Sequence, residues 1–186
     1  MRERVVVRWR DWSGEGLEHL VLETRPDGVH ADAAILGSTD SGEAFAARYR
    51  IDCDAGWRVR RLRLTLLGQD TELDLSSNDA AQWTDGSGAR RLDLAGAVDV
   101  DISATPFTNT LPVRRLGLRA GESDTILVVY VELPEVTVTA ERQRYTCLAP
   151  GRRYRFESLA SGFTREIEVD GDGLVLTYPD LFRRVP

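Results

Sequence analysis

Lysine is missing from this 186-residue sequence, and cysteine, histidine and methionine are scarce, with two, two and one residues respectively. The positive charge is carried by 24 arginines against 30 acidic residues, for a net charge of -6. The arginines alternate with acids along the chain and form no continuous basic stripe. We therefore expect neither nucleic acid nor an anionic membrane surface as the main partner.

Metal-binding and redox motifs are also lacking. Cys53 and Cys147 are far apart in the sequence, and neither belongs to a spacing typical of zinc sites or redox centres. His19 and His30 stand in strand-like segments without the pattern of His, Cys and Asp partners that marks a metal site. The sequence therefore predicts no metal site and no cofactor.

Long hydrophobic runs are absent as well. The N-terminal segment has a run of only three apolar residues, Val5–Val7, whereas a signal peptide needs an apolar core of at least about seven. No window approaches the roughly 20 apolar residues of a transmembrane helix. We expect a cytoplasmic protein without a membrane span, in which both cysteines are reduced.

What the sequence does contain is alternation of apolar and polar residues with a period of two, from end to end. In Arg61–Leu66 the alternation is strict, which predicts an antiparallel strand with its leucines facing a core and the other side chains facing solvent. Asp85–Gly88 and Asp170–Gly173 are typical of tight hairpin turns. The second turn is predicted to join Glu166–Val169 to Leu174–Thr177.

Roughly a dozen short strands in one chain cannot remain a flat open sheet. They predict a single, mostly β domain over residues 1–186, in which a large antiparallel sheet curls into a barrel or half-barrel or folds into a sandwich. One or two short helices are expected, because Thr105-Pro106 is a good helix start and would place Phe107–Leu111 in one or two turns. We expect Pro112 to interrupt or redirect that helix, and the two following arginines to begin the next strand.

The segment Asp99–Leu116 concentrates carboxylates, hydroxyls, an amide and paired arginines. Asp99 and Asp101 are two residues apart on a predicted strand, so their side chains leave one face about 6–7 Å apart. Such a pair could act as acid and base in glycoside hydrolysis, where inverting enzymes separate the carboxyls by about 6.5–9.5 Å. It could equally form a structural or ligand-orienting network with Arg114 and Arg115. We prefer the network, because acid pairs on one face are common in strands.

Short polar side chains and aromatic rings supply the other candidates. Thr108, Asn109 and the neighbouring threonines can bind sugar hydroxyls, and they can equally cap a helix or satisfy a turn. Tyr145 and Tyr154 lie on segments that we predict to be neighbouring strands; Tyr145 follows Arg144, and Tyr154 lies between Arg153 and Arg155. A tyrosine ring has an apolar face and a polar tip, so both are candidates for lining a pocket for an amphipathic ligand.

The run TPFTNTLPVRRL, residues 105–116, closely resembles the signature of the Putative glycolipid-binding family, a bacterial group first described as a domain of unknown function. Gly16–His19, Gln143–Thr146 and Tyr178-Pro179 are weaker marks that come in the order found in that family. Its members are similar in fold to the bacterial lipoprotein-localisation carriers, which bend a large antiparallel sheet around a hydrophobic cavity. The resemblance therefore implies a concave apolar pocket with a helical or loop plug, and it supplies no catalytic residues.

Three functions are compatible with the sequence. The first is a non-enzymatic protein that holds an amphipathic lipid or glycolipid in the cavity of the curved sheet. The second is a hydrolase that acts on a glycoside or a lipid-linked sugar through Asp99 and Asp101. The third is a non-catalytic protein-interaction subunit, which predicts an exposed apolar patch and no roomy cavity. The sequence does not choose an oligomeric state.

The first function is preferred, with the polar head of the ligand oriented by Asp101, Asn109 and Arg114. The full set of candidate ligand-binding residues is Asp99, Asp101, Thr108, Asn109, Arg114, Tyr145 and Tyr154.

Overall fold

The computed structural model describes residues 3–39 and 41–186, which form fifteen strands and one short α-helix. The strands are β1 (Glu3–Asp11), β2 (Leu17–Arg25), β3 (Gly28–Ser38), β4 (Ala44–Cys53), β5 (Val59–Leu66), β6 (Glu72–Ser77), β7 (Trp83–Asp85), β8 (Arg90–Arg91), β9 (Asp99–Ile102), β10 (Ser123–Glu132), β11 (Thr137–Ala149), β12 (Arg153–Ser158), β13 (Thr164–Val169), β14 (Val175–Tyr178) and β15 (Phe182–Val185). The helix α1 spans Thr110–Leu116, and 3-10 turns span Leu92–Leu94 and Phe107–Asn109.

All the strands belong to one sheet, in which most neighbours are joined by hairpins. From β8 to β1 the strands lie side by side in reverse chain order, and β1 then pairs with β15, from which the order continues back to β9. The neighbouring strands are antiparallel except for β9 and β10, which are parallel. The sheet is large and curved and does not close into a barrel, so the prediction of a mostly β fold with a curved antiparallel sheet is confirmed.

The β9 and β10 end of the sheet is buried on both faces. Val129 and Val131 of β10 belong to a hydrophobic cluster with the inward residues of β1–β7, whereas Val128 belongs to a second cluster with residues of β11–β14. Val98, next to β9, accepts a hydrogen bond from the backbone N–H of Val59 at 3.2 Å. The sheet therefore curls until one face of its β9 and β10 end packs against the β1–β7 half. A strand covered on both faces reads as a continuous apolar run, as Ile126–Val131 does.

The predicted helix exists, but its limits differ from the prediction. Thr105 Oγ1 accepts a hydrogen bond from the backbone N–H of Phe107 at 3.0 Å, and the 3-10 turn at 107–109 leads directly into α1. Pro112 lies in the first turn of α1, where a backbone N–H is not needed for the helical ladder. The expected interruption at Pro112 was therefore wrong.

The paired arginines also belong to this helix. Arg114 and Arg115 lie in the last turn of α1, where positive charge is favourable to the helix dipole, and the helix ends at Gly117 with φ 57°. Assigning these arginines to the next strand was wrong. Leu111 packs into the first hydrophobic cluster and Val113 into the second, so α1 fills the space between the two clusters. We refer to the 3-10 turn at 107–109 and α1 together as the plug.

The hairpin at Asp170–Gly173 is confirmed. Strands β13 and β14 pair with Val169 opposite Val175, and Gly173 donates its backbone N–H to Asp170 O at 2.9 Å. Asp170 Oδ1 accepts the backbone N–H groups of Asp172 and Leu174, each at 3.0 Å, as expected for an aspartate that starts a tight turn. No helix among the described residues is long and apolar enough to cross a membrane.

Candidate functional site

A cleft of about 860 Å³ opens at one end of the strands. Residues at four turns and the adjoining strand ends surround it: 11–13 and 15–18 between β1 and β2, 36–39 and 41–42 between β3 and β4, 132–135 between β10 and β11, and 180–182 between β14 and β15. Ser103 and Ala104, which follow β9, complete the wall. The curl of the sheet creates this cleft, because it brings the turns of distant hairpins to one opening.

Large apolar residues form part of the walls of the cleft. Trp9, Ile35 and Leu133 are buried and line its inner part. The Trp9 ring is held in place by a hydrogen bond of 2.7 Å from its Nε1 to Val175 O. Trp12 and Leu36 line the outer part, where 46% and 55% of their surfaces are exposed to solvent. An apolar ligand would therefore find both a buried wall and a hydrophobic rim.

A buried carboxyl group lies among these apolar residues. Glu18 of β2 faces inward opposite Trp9 and Ile35, and only 3% of its surface is exposed. Tyr49 donates its hydroxyl to Glu18 Oε1 at 2.5 Å, and this hydroxyl is 3.3 Å from Thr105 Oγ1. Glu18 Oε2 has no hydrogen-bond partner among the described residues. Burial raises the pKa of Glu18 to about 7, against the lowering effect of the bonds to Thr105 and Tyr49.

Acidic residues dominate the charged lining of the cleft. Besides Glu18, the carboxylates that line it are Asp11, Glu15, Glu132, Glu135 and Asp180. None of the described lining residues is an arginine or a histidine. The lining of the cleft is therefore mixed, with apolar and hydroxyl side chains, and its charged side chains among the described residues are all acidic.

The predicted acid pair lies elsewhere, on β9, and points away from the cleft. Asp99 is fully buried and forms a two-pronged ion pair with Arg115, with distances of 3.0 Å from Nε to Oδ1 and 2.5 Å from Nη2 to Oδ2. Burial raises the pKa of Asp99, while Arg115 opposes the rise. Arg114 does not join this pair, because its guanidinium lies 5.0 Å from the centre of the Trp57 ring.

Four of the predicted residues meet in a buried polar network between β9, the 3-10 turn and β11. Asp101 accepts hydrogen bonds from Thr108 Oγ1 at 2.9 Å and from Gln143 Nε2 at 2.6 Å. Burial raises the pKa of Asp101 against the effect of these two bonds. Next to it, Asn109 Nδ2 donates to the hydroxyl of Tyr145 at 3.0 Å. This network fixes the 3-10 turn to the sheet.

Tyr154 is separate from this network. It lies on β12, which pairs with the Tyr145 strand as predicted, but its hydroxyl accepts the backbone N–H of Gly151 at 3.2 Å. With Arg114 and Trp57 it lines a shallow pocket of about 410 Å³. The seven predicted ligand-binding residues are thus divided between a buried network, an ion pair and a surface pocket, and none of them lines the cleft.

The family model described as Putative glycolipid-binding matches residues 6–184. The chain belongs to this family. The crystal structure of a DUF1089 family protein from Pseudomonas aeruginosa is similar to it, with a TM-score of 0.79, 32% sequence identity and coverage of 92% of each chain. No curated protein matches the chain at a significant level.

The residues that carried the resemblance to the Putative glycolipid-binding family, 105–116, form the 3-10 turn and α1 that plug the curved sheet. Sequence reasoning missed Glu18, although a signal was present. The period of β2 places Glu18 on the same face as Leu20 and Leu22, which are buried. A carboxylate in an inward register among leucines predicts a buried titratable group. Among the described residues, no group of three or more His, Cys, Asp or Glu side chains could hold a metal ion.

Proposed function

We propose that this protein binds an amphipathic lipid or glycolipid, without catalysis, and that the ligand lies in the cleft among the four turns. The observation that carries the proposal is the cleft itself, with about 860 Å³ of space and buried walls of Trp9, Ile35 and Leu133. This volume lies within the roughly 300–1,000 Å³ of small-molecule sites, and such sites are mostly apolar with a few polar groups.

The rim supports an amphipathic ligand in particular. Trp12 and Leu36 are large apolar residues that remain exposed where the cleft opens. An alkyl chain that covers them would contribute about 0.8 kcal/mol for each buried methylene. The polar head would then lie further inside the cleft, near Ser103 and Glu18, which line it.

The predicted site residues take an indirect role in this proposal. Thr108 and Asn109 are bound to Asp101 and Tyr145, so they hold the turn that begins at Thr105. Thr105 in turn hydrogen-bonds within the Glu18 and Tyr49 cluster that reaches the cleft. In this proposal the buried polar network positions the inner wall of the cleft. The residues that line the cleft contact the ligand directly.

The alternatives have less support. A hydrolase that acts through Asp99 and Asp101 would need these carboxylates free to meet a substrate, whereas Asp99 is paired with Arg115 and Asp101 with Thr108 and Gln143. A pure protein-interaction subunit was expected to have no roomy cavity, and the cleft argues against it.

Native mass spectrometry after incubation with a bacterial lipid extract tests the proposal. We expect a one-to-one lipid adduct that is strongly reduced in Ala104→Trp, because the new ring would fill the cleft. Ala80→Trp, at an exposed turn outside the cleft, is the matched control and should keep the adduct. If Ala104→Trp does not fold, Leu36→Asn with Leu92→Asn as control replaces it, since both leucines are exposed. The absence of any adduct, or an adduct that Ala104→Trp leaves unchanged, would contradict the proposal.

A further inference from the structure

The distribution of charge in the cleft is unlike that of the rest of the chain. The whole sequence has 24 basic against 30 acidic residues, whereas the described residues that line the cleft include six carboxylates and no basic side chain. Glu15, Glu132 and Glu135 are exposed on two different turns. Asp180 also forms an ion pair with Arg165 at 3.3 Å, outside the lining. A ligand that enters the cleft therefore meets a negative field.

The buried end of the cleft adds a second, independent feature. Glu18 is 3% exposed, lines the cleft, and has one carboxyl oxygen without a hydrogen-bond partner among the described residues. A buried polar atom of this kind costs free energy until something pairs with it. The partners that would satisfy it best are hydrogen-bond donors, and a cationic donor would also compensate the charge.

The aromatic lining suits the same chemistry. Trp12 at the rim has the guanidinium of Arg183 at 5.9 Å from its ring centre, and Trp9 has that of Arg184 at 5.9 Å, so both rings of this lining lie within reach of a cation of the protein itself. Aromatic faces attract cations through the ring quadrupole. An alkylammonium group satisfies all three features together: the negative opening, the unpaired carboxyl oxygen and the aromatic walls.

We infer that the amphiphile bound in this cleft carries a positively charged amine, and that Glu18 pairs with it. This inference rests on the proposed function, since it names the class of ligand for the same cleft. An anionic head such as a phosphate is disfavoured by the six carboxylates. A neutral glycosyl head, without an amine, binds through the apolar walls alone and gains nothing from the field.

Titration calorimetry with three twelve-carbon amphiphiles, each below its micelle concentration, tests the inference. We expect dodecylammonium to bind at least tenfold more tightly than dodecyl glucoside, and dodecyl phosphate to bind most weakly. The affinity for dodecylammonium should fall with added salt, whereas that for the glucoside should not. If all three fail to bind, the proposed function itself fails. If the glucoside binds and the amine binds no more tightly, only the present inference is overturned.

Variants locate the effect in the cleft. Glu18→Gln should reduce the affinity for dodecylammonium about tenfold and leave that for dodecyl glucoside nearly unchanged. Glu72→Gln removes an exposed acid on β6 outside the cleft, so it lowers the net negative charge equally and should change neither affinity. Equal losses in the two variants would mean that the amine is attracted only by the overall charge of the protein, which would overturn the inference.

Proton release on binding distinguishes an ion pair with Glu18 from packing of the ligand, because packing alone releases no proton. Pairing with an ammonium group favours the ionised form of Glu18, so binding at pH 7 should release protons, measured from the heats in buffers of different ionisation enthalpy. The groups that face Glu18 are Tyr49 and Thr105, and the other titratable groups of the cleft are Asp11, Glu15, Glu132, Glu135 and Asp180. Release that persists in Glu18→Gln would assign it to those other carboxylates and contradict the role of Glu18.

Discussion

At the scale of single residues, the protein places ionisable groups where burial opposes their charge. Glu18 occupies an inward position between leucines on β2, and burial raises its pKa to about 7. The carboxyl groups of Asp99 and Asp101 are also buried, and the pKa of each is raised. Asp99 is compensated by Arg115, whereas Glu18 has only neutral hydroxyl partners. The ionisation of Glu18 therefore lowers stability near neutral pH.

The first prediction concerns the pH dependence of stability in Glu18→Gln. The pKa of Glu18 is about 7 in the folded protein and 4.5 as the ordinary value, so the folded state binds the proton more tightly. The contribution of Glu18 to the free energy of unfolding is fully present below about pH 4.5. It falls by roughly 3 kcal/mol as the pH rises to about 7. Glutamine does not ionise. In urea unfolding, the variant should gain roughly 3 kcal/mol relative to the parent between pH 5 and pH 8. A difference that is the same at both pH values would contradict this account.

At the scale of elements, α1 and the side chains that hold it to β9 determine how the interior of the curved sheet is filled. The plug at 107–116 is fixed to β9 by the Asp99–Arg115 pair and by the hydrogen bond that Thr108 Oγ1 donates to Asp101. Local sequence signals predicted the start of the plug, where Thr105 caps the 3-10 turn. They also predicted the hairpin at Asp170–Gly173, which is specified by its own residues. They failed at Pro112, because a proline that breaks a helix interior is tolerated in its first turn.

The second prediction concerns the ion pair between β9 and α1. Asp99→Asn should lower the free energy of unfolding by about 3–5 kcal/mol, because Arg115, with 14% of its side chain exposed, would lose its partner. Asp74→Asn breaks a pair with Arg61 whose side chains are 33% and 45% exposed, and it should cost about 1 kcal/mol or less. Equal losses in chemical unfolding of the two variants would show that the buried pair does not hold the plug.

The third prediction concerns the hairpin between β2 and β3. Gly28 has φ 154°, and a Cβ at this position would lie 2.0 Å from Cys53 O. Gly28→Ala should therefore lower the unfolding free energy by roughly 3 kcal/mol or more, since a clash with backbone adds to the strain. Gly151 also has a positive φ, 65°, but open space around it. Gly151→Ala should cost only about 1–2 kcal/mol. Thermal and urea unfolding compare the two variants, and a smaller loss in Gly28→Ala would refute the assigned clash.

At the scale of the whole molecule, the curvature of the sheet creates the cleft. Alternation of period two predicted the strands and the curved antiparallel sheet, because each hairpin is specified by nearby residues. It did not predict which turns would meet, since the cleft depends on how far the sheet curls. Val129 and Val131 in the first hydrophobic cluster show that the β9 and β10 end lies within the curve. Candidate residues chosen from one segment, such as Asp101 on β9 and Asn109 in the plug, therefore lie outside the cleft.

The fourth prediction follows from the rim of the cleft. Leu36→Asp places a carboxylate on an apolar surface that is 55% exposed, so the fold should be retained. Because the alkyl chain of a neutral amphiphile would lose this contact, we expect the affinity for dodecyl glucoside to fall about tenfold in calorimetry. Leu92→Asp, at a leucine that is 77% exposed and outside the cleft, should bind normally. An unchanged affinity in Leu36→Asp would place the alkyl chain elsewhere.

Photo-crosslinking tests the central claim most directly, because it locates a bound amphiphile on the chain. A dodecylamine with a photoreactive diazirine in its alkyl chain is irradiated with the protein, and labelled peptides are mapped by mass spectrometry. We expect light-dependent labels at residues 11–17, 36–39, 41–42 and 132–135, which surround the cleft. Labels confined to the pocket at Trp57 and Arg114, or to the outer face of the sheet, would contradict it.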